Sequence, residues 1–426
     1  MSNIPSIAMI PSAYKSGKVY SVLPTDGSAD LNFSRASEAT RVNQNGLIET
    51  VGSNVPRLNY PLIDGVVSGC PSLLLENSAT NILSYSEDFS QSYWGTSRIE
   101  TPYIADTISP DGTLNAYTLE MSSGQNTGGG VLKTGISISG DNSFSVFAKK
   151  KTANYLALGD TGLTSNAVYF DLENGVVGTT YNATGEIQDF GNGWYRCTMK
   201  YTLTSSGAKF IYLSNIDGVT SNAVQGGDSI YIYGAMLEAG SYPTSYIPTN
   251  GSQVTRSAET CNNAGDVNTF NDSEGVLFAE ISALADDGTA RVITINDGGS
   301  SDYIGLRYHT VSNTIRFLVK SGGTTNFDYF ITLPSTEEYN KIAIKYENTN
   351  VYLWANGFEY FQFSPITTPI GLSTLNFDDS VGGNDFYGNT KQLQYFDTAL
   401  TDTDLEEMTG FKSFVQMANQ FNYTVI

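Results

Sequence analysis

The sequence predicts an all-β protein: two antiparallel β-sandwich domains of the jelly-roll type, preceded by an extended N-terminal arm and followed by short C-terminal helices. The first observation is composition, with 42 glycines, 27 tyrosines and 21 phenylalanines in 426 residues. Turn formers mixed with aromatic strand formers are what many short antiparallel strands require. The second is a series of short apolar runs separated by turn signals. The third is that helical patterning is confined to the chain end.

The length predicts two or three domains, since a domain typically holds roughly 100 to 200 residues. We place an extended arm at residues 1–80, a first sandwich at 81–260, a second sandwich at 261–410 and a helical tail at 411–426. The arm is rich in Ser, Asn, Gly and Pro and carries only short apolar runs, so we expect it to pack on something else.

Strand signals begin near Tyr85, with runs such as SFSVFAKK, YFDLENGVVGTTY and GWYRCTMKYTL. Asn174-Gly175 lies between two of these runs and predicts a hairpin in which both turn residues adopt positive φ. Asn192-Gly193 repeats the signal before Trp194. This spacing of strands and turns is typical of a β-sandwich.

A polar stretch over residues 252–272 predicts the boundary between the sandwiches. A second strand series follows, and alternation in IAIKY and VYLWA predicts strands with one buried and one solvent-facing side. Thr401 with Asp404 predicts a short helix ending at Gly410, and Ser413 predicts the start of another.

Charge and cysteine content argue against several classes of protein. The formal charge is −21, so neither nucleic acid nor an anionic membrane is an expected partner. Cys70, Cys197 and Cys261 have neither zinc-ligand nor disulfide spacing. The start lacks a signal-peptide pattern and no stretch of about 18 apolar residues occurs, so we expect synthesis in the cytoplasm, a soluble chain and no membrane insertion.

Catalytic signatures are sparse, and we expect neither enzyme activity nor a cofactor. The single histidine, His309, lies in a strand-like run without a nucleophile motif. Adjacent carboxylates such as Asp286-Asp287 point to opposite faces of a strand and cannot share one substrate. Two carboxylates from distant strands could still form a glycosidase site, and that alternative stays open.

Two sets of side chains are candidates for ligand binding. Oxygen-rich loops predict calcium ligands at a sandwich rim, and the candidates are Asp297, Asp302, Asp378 and Asp385. Aromatic faces that could stack on sugar rings are offered by Trp94, Trp194 and Trp354. The alternative for each tryptophan is a position in the core.

Three segments carry a resemblance to known families. FSRASEATRVNQNGLIETVGSNVPRLNY and GCPSLLLENSATNILSYSEDF, within residues 33–94, resemble the start of structural proteins of tailed bacteriophages. GNGWYRCTM and YIYGAMLEAGSYPTSYIPTNGSQVTRSAE, within 84–259, look like the jelly-roll domain of phage head-spike or head-fibre proteins. NKIAIKYENTNVYLWANG and FYGNTKQLQYFDTALTDTDLEEMTG, within 275–409, are similar to laminin-G or concanavalin-like jelly rolls.

The resemblance implies a non-catalytic virion surface protein, either a head fibre or a capsid decoration, made in the host bacterial cytoplasm. Its partners would be phage capsid or tail proteins and further copies of itself, most simply a homotrimer. The arm would attach to the particle through Arg35, Arg41 and Arg57, while the acidic sandwiches project. The alternatives are a tail-fibre receptor-binding protein or an adhesin for host or mucosal glycans, and then a glycan depolymerase.

Overall fold

The protein is almost entirely β-structure, which confirms the predicted fold class. The computed structural model describes residues 4–203 and 207–411. Within those ranges the strands are antiparallel and one short α-helix occurs. The chain forms two sandwiches, together with small sheets from the N-terminal segment.

The described part of the N-terminal segment, residues 4–81, contains eleven short strands. They are β1 (Ile7–Met9), β2 (Tyr14–Lys15), β3 (Lys18–Val19), β4 (Leu31–Ser34), β5 (Ala39–Val42), β6 (Ile48–Val51), β7 (Arg57–Asn59), β8 (Leu62–Ile63), β9 (Val66–Val67), β10 (Ser72–Leu75) and β11 (Ala79–Asn81).

The first sandwich consists of two six-stranded sheets, ordered β12-β15-β22-β17-β18-β19 and β13-β14-β23-β16-β21-β20. Alternate residues of long strands such as β16 and β21 enter the core between the sheets. The strands are β12 (Gly95–Ser97), β13 (Tyr103–Ile104), β14 (Tyr117–Glu120), β15 (Gly130–Lys133), β16 (Gly140–Lys150), β17 (Tyr155–Asp160), β18 (Asn166–Asp171), β19 (Val176–Tyr181), β20 (Thr184–Asp189), β21 (Trp194–Leu203), β22 (Lys209–Ser214) and β23 (Ser229–Ala239).

The second sandwich packs the five-stranded sheet β30-β29-β28-β27-β34 on the sheet β33-β32-β31-β26-β35-β10-β7. The remaining elements are β24 (Val254–Arg256), β25 (Thr260–Asn262), β26 (Glu274–Ala283), β27 (Arg291–Asn296), β28 (Tyr303–Tyr308), β29 (Thr314–Ser321), β30 (Thr324–Thr332), β31 (Asn340–Glu347), β32 (Asn350–Ala355), β33 (Phe358–Phe363), β34 (Thr374–Asn376), β35 (Gly388–Phe396) and α1 (Asp402–Thr409).

The segment predicted as an extended arm is part of the second sandwich, and that prediction was wrong. β10 pairs with residues 388–390 of β35, and β1 pairs with residues 393–395 along the same edge. β4 pairs with β25. Ile7, Met9, Leu73 and Leu75 are buried in the core of the second sandwich. The short apolar runs of the segment are therefore core strands. The sequence did not indicate this, because the strands that pair with them lie more than 180 residues away.

The first sandwich is thus inserted into the second. The chain leaves the second sandwich after β10 and returns to it at β25. The outgoing strand β11 and the returning strand β24 pair antiparallel, with Ala79 opposite Arg256. Two adjacent crossings restrict the relative motion of two domains more than one flexible linker does.

The predicted hairpins form, with one difference in geometry. Asn192 and Gly193 both adopt positive φ, 54° and 78°, between β20 and β21. Between β18 and β19 only Gly175 does so, with φ 66°. The backbone N–H groups of Glu173 and Asn174 donate to the Asp171 side chain, which builds a longer loop and leaves Asn174 outside the left-handed region.

The helix α1 begins at the predicted capping box. Thr401 accepts a hydrogen bond from the Asp404 backbone N–H, and the Asp404 side chain accepts one from the Thr401 N–H. Leu405 packs with Phe278 and Trp354 on the outer face of the sheet. β31 and β32 are therefore buried on both faces in this region, so the predicted solvent-facing side was wrong. The predicted second helix, near Ser413, lies outside the described residues.

Within the part of the chain that the structure describes, no helix is long and apolar enough to cross a membrane.

The core role of the N-terminal segment predicts a large effect for Leu73→Ala. Leu73 is 0% exposed, and we expect a loss of about 2–5 kcal/mol in the free energy of unfolding, because the substitution leaves a cavity. Ile63→Ala in the same segment is the control, since Ile63 is 60% exposed and should change stability by about 0.5 kcal/mol or less. Chemical denaturation measures both. Equal, small effects would mean that the segment does not belong to the core.

Candidate functional site

Two of the three arginines predicted to attach the chain to a particle are buried inside it. Arg35 follows β4 and Arg57 begins β7, and both form ion pairs with Glu259, just before β25. The Arg35 Nη1 to Glu259 Oε1 distance is 2.7 Å. Arg57 also contacts Glu76 at 2.7 Å, and Arg256 contacts Glu76 at 2.8 Å. These five residues form the junction network, and none is more than 3% exposed.

The junction network holds the chain where it passes between the sandwiches. Glu76 follows β10, and Arg256 ends β24. The backbone N–H of Glu76 donates to Glu259, and the backbone N–H of Ser245 donates to Glu76. Burial alone would raise the pKa of Glu76, but the positive charges of Arg256 and Arg57 outweigh it and lower the pKa to about 2.

Arg41, the third arginine, is also committed within the chain. It lies on β5 directly opposite Glu49 of β6, and its Nε donates to the Glu49 carboxylate at 2.6 Å. Its Nη2 donates to the hydroxyl of Tyr14 at 3.0 Å. Because Arg35 and Arg57 are buried and Arg41 is paired, these three residues do not form the exposed basic docking surface predicted from the sequence.

The three tryptophans are core residues, so their prediction as sugar-stacking platforms was wrong. Trp94, Trp194 and Trp354 are each 5% exposed or less. The indole N–H of Trp94 donates to the Tyr85 carbonyl, and that of Trp194 to the Ile108 carbonyl. Trp354 lies beneath α1. A ring enclosed in this way offers no free face to a sugar.

The four predicted calcium ligands do not form a cation site. Asp297 and Asp302 accept backbone N–H groups that close loops. Asp378 accepts from a backbone N–H and an amide side chain, and Asp385 from a tyrosine hydroxyl. Within residues 4–203 and 207–411, no group of three or more His, Cys, Asp or Glu residues is arranged to hold a metal ion. These carboxylates therefore stabilise turns.

The side chain of His309 is held by contacts with its neighbours in the fold. Its Nδ1 accepts the backbone N–H of Val311, and its ring stands edge-on to Phe330 with centroids 4.9 Å apart. Burial and the nearby Arg307 and Arg316 lower its pKa, which favours the neutral imidazole.

Glu87 and Asp111 are a close carboxylate pair from distant parts of the chain. The hydroxyl of Tyr233 lies 2.9 Å from Glu87 and 3.0 Å from Asp111. Burial raises the pKa of Glu87. Burial also acts to raise that of Asp111, but hydrogen bonds, first from Ser109, outweigh it and lower the pKa. A glycosidase needs room for a sugar between its carboxylates, and here Tyr233 fills that space.

A groove between the two sandwiches is a candidate concave site. One cavity of about 210 Å³ lies between the β5–β6 hairpin, the outer face of β21 and residues of the second sandwich. An adjoining cavity of about 300 Å³ shares Pro243 and Leu284 with it. We call these two cavities the interdomain groove. Polar and apolar side chains line the first cavity in about equal numbers.

Three charged residues line the first cavity, and Arg196 is the one without an ion pair in the described chain, since Arg41 pairs with Glu49 and Glu76 with Arg57. Arg196 lies on β21 on the same face as Trp194, and its guanidinium is 5.7 Å from the centre of the Phe147 ring. Its Nη2 donates to Ser145 Oγ at 3.2 Å, while its buried Nε has no hydrogen-bond partner. No carboxylate of the described chain lies within ion-pair distance of Arg196, in contrast to the junction network nearby.

Glu238 is the carboxylate with the strongest effect on Arg196. It lies on β23, is 1% exposed, and accepts hydrogen bonds from the backbone and hydroxyl of Thr244. Burial raises its pKa to about 7, although Thr244 and then Arg196 act to lower it. A carboxyl group that is partly protonated near neutral pH balances only part of the arginine charge.

Except for Arg41, the sequence prediction did not include the groove residues, and one signal could have found Arg196. In GWYRCTM, Arg196 and Trp194 are two residues apart and so face the same side of a strand. A tryptophan and an arginine on one face suggest a covered surface rather than a solvent-facing one.

Comparisons with known proteins do not assign a family. No family model and no curated protein matches the chain. Among solved structures, the CBM40 module of Ruminococcus gnavus IT-sialidase is 14% identical, with a TM-score of 0.30 over 35% of this chain and 94% of that one. Domain 4 of AbnA, a GH43 extracellular arabinanase from Geobacillus stearothermophilus, is 12% identical, with a TM-score of 0.30 over 40% of this chain and 83% of that one.

The leech intramolecular trans-sialidase is 16% identical, with a TM-score of 0.29 over 34% of this chain and 24% of that enzyme. Similarities at this level carry no argument about what this chain binds or does.

The junction network predicts a large loss of stability for Glu259→Gln. The substitution keeps the side-chain shape but leaves three buried arginines with one carboxylate, and we expect a loss of about 3–5 kcal/mol in the free energy of unfolding. Glu173→Gln is the control, because Glu173 is 54% exposed where it pairs with Lys150 and should change stability by about 1 kcal/mol or less. Urea denaturation compares the two. Similar losses would contradict a structural role for the network.

The raised pKa of Glu238 predicts that the free energy of unfolding depends on pH. Its folded pKa of about 7 exceeds the ordinary value of 4.5, so the folded state binds the extra proton between these values. The contribution of Glu238 is therefore fully present below pH 4.5 and is lost as pH rises towards 7. Glu238→Gln should match the original protein at pH 4 and be more stable at pH 8, by about 3 kcal/mol at most. Denaturation at both pH values measures this, and an equal difference at each would rule it out.

Proposed function

We propose that this chain is a non-catalytic structural protein of a tailed-phage particle, either a head fibre or a capsid decoration. The supporting observation is that the segments resembling phage proteins contain the residues of the junction network. All five residues of the junction network lie in the resembling stretches: Arg35 in FSRAS, Arg57 in VPRLNY, Glu76 in LLLENSATN, and Arg256 and Glu259 in VTRSAE. The shared motif thus encodes a junction that fixes one sandwich in another, which suits a scaffold.

The chemistry of the described residues supports a structural role over an enzymatic one. The His309 ring accepts a backbone N–H, and Tyr233 occupies the space between Glu87 and Asp111. We propose capsid or tail proteins and further copies of the chain, most simply in a trimer, as its partners. The attachment surface is distinct from Arg35 and Arg57, because both are buried.

A second candidate function is adhesion to host or mucosal glycans, and the interdomain groove favours it. Sugars are bound in proteins by aromatic faces together with a few well-placed polar groups, and the half-buried Phe190 lines the first cavity beside Arg196. A receptor-binding protein of the tail would use the groove in the same way.

Location on the particle is the direct test of the first proposal. Immunogold electron microscopy with antibodies to residues 84–426 should label the capsid surface of purified particles. Label confined to the tail tip would move receptor binding to first place, and unlabelled particles would overturn the virion assignment.

The glycan candidate is tested on an array of bacterial and mucosal glycans, with and without calcium. Binding that calcium does not change is expected, because the four candidate aspartates are committed to turns. An array without signal would overturn this candidate. New reducing ends after long incubation with host polysaccharide would instead support a depolymerase.

A further inference from the structure

We propose that the interdomain groove binds an acidic saccharide, with the sugar carboxylate paired to Arg196 in the first cavity. This inference rests on the glycan-binding candidate and names its substrate class.

The first step is the unsatisfied charge of Arg196. Its Nη2 is held by Ser145, and its buried Nε–H has no partner. A buried donor without a partner is costly, and a buried guanidinium without a counter-ion more so. An anion that enters the cavity would supply the missing counter-ion.

The second step concerns the kind of anion. A guanidinium presents parallel N–H groups that match the two oxygens of a carboxylate. The Nε–H and an adjacent Nη–H form one such edge, and the contact to Ser145 fixes the orientation of the side chain. A ligand does not reach that edge, because Nε is buried and Nη2 already donates to Ser145, so the sugar carboxylate would pair with the Nη1 end of the guanidinium.

The third step concerns the body of the ligand. Phe147 and Phe190 meet edge to face, with ring centres 5.0 Å apart, and both line the cavity with Tyr246. Phe147 and Tyr246 are enclosed, so the half-buried Phe190 is the aromatic side chain that a sugar ring can contact beside Arg196. A volume of about 210 Å³ is below the 300–1,000 Å³ typical of drug-sized ligands, so it fits a single sugar unit.

The fourth step concerns the rest of the chain of sugars. The adjoining cavity is lined by four carboxylates and one lysine, Lys200, which pairs with Glu186; the other three are Asp286, Asp287 and Glu337. Carboxylates there repel a second acidic unit. The groove therefore favours one acidic sugar at Arg196, followed by neutral sugars. The hydroxyls of these neutral sugars would donate hydrogen bonds to the carboxylates of the adjoining cavity.

Internal neutralisation of Arg196 is incomplete. Glu238 is held by two hydrogen bonds from Thr244 and forms no ion pair with Arg196. Arg256 and Arg57 carry their own carboxylates in the junction network. Arg196 is therefore the arginine of this region that has room for an external anion.

Calorimetric titration of the full chain tests the proposal. The probes are oligosaccharides that end in a uronic or sialic acid, each compared with the same oligosaccharide without its acidic sugar. We expect the acidic member to bind at least about tenfold more tightly, because it alone forms the charge-assisted pair. Arg196→Gln should remove that preference.

Arg307→Gln is the matched control. Arg307 also has a buried Nε without a partner and no ion pair within the described chain, but it lies on β28, outside the groove. Arg307→Gln should leave the affinities for the acidic and the neutral oligosaccharides unchanged. If Arg196→Gln does not fold, as judged by thermal unfolding, Arg196→Lys serves instead. Lysine keeps the positive charge but lacks the parallel N–H groups of arginine. This variant should therefore bind the acidic oligosaccharide about tenfold more weakly.

Three outcomes would overturn the inference, and they differ in what else they remove. Equal binding of acidic and neutral partners, or an unchanged preference in the Arg196 variant, would reject the carboxylate site and leave the glycan-binding candidate standing. Absence of binding to every probe would remove both. Displacement of the sugar by an equal concentration of inorganic phosphate would indicate a general anion site.

Discussion

The buried network of three arginines and two glutamates is the interaction on which the arrangement of this protein depends. It joins the ends of β4, β7 and β10 to the segment between β24 and β25, so it closes the second sandwich around the point where the first is inserted. Buried charges are costly unless they are paired and hydrogen-bonded, so few arrangements of these strands are tolerated. We infer that the network selects one register and one path for the chain, beyond any net stability it adds.

This constraint has consequences for the groove. The first cavity is bounded by the β5–β6 hairpin, the outer face of β21 and Leu284 and Asn389 of the second sandwich. The network lies beside that cavity, and Glu76 belongs to both. Paired strands and buried ion pairs therefore hold the walls of the groove in place. A preformed site of this kind loses less conformational freedom on binding than a mobile one.

The contrast between Arg57 and Arg196 shows how neighbouring arginines come to differ. Arg57 contacts two carboxylates, and they raise its pKa even though burial opposes this. Arg196 has no such contact, and burial lowers its pKa. The charge of Arg57 is thus neutralised within the fold, whereas Arg196 can still pair with an anionic ligand. Local charge balance, rather than residue type, separates a structural arginine from a candidate binding one.

The sequence by itself determined the β-class, the hairpin at Asn192-Gly193 and the cap of α1. These features depend on alternation and on the backbone preferences of a few neighbouring residues. Only the tertiary structure decided that the N-terminal segment is core, that the tryptophans are covered, and that Arg35 and Arg57 are internal. Each of these depends on contacts between residues far apart in the sequence, such as Arg35 with Glu259. A local pattern shows that a strand or a charge is present, but the partner that covers or neutralises it is chosen when the distant segments pack together.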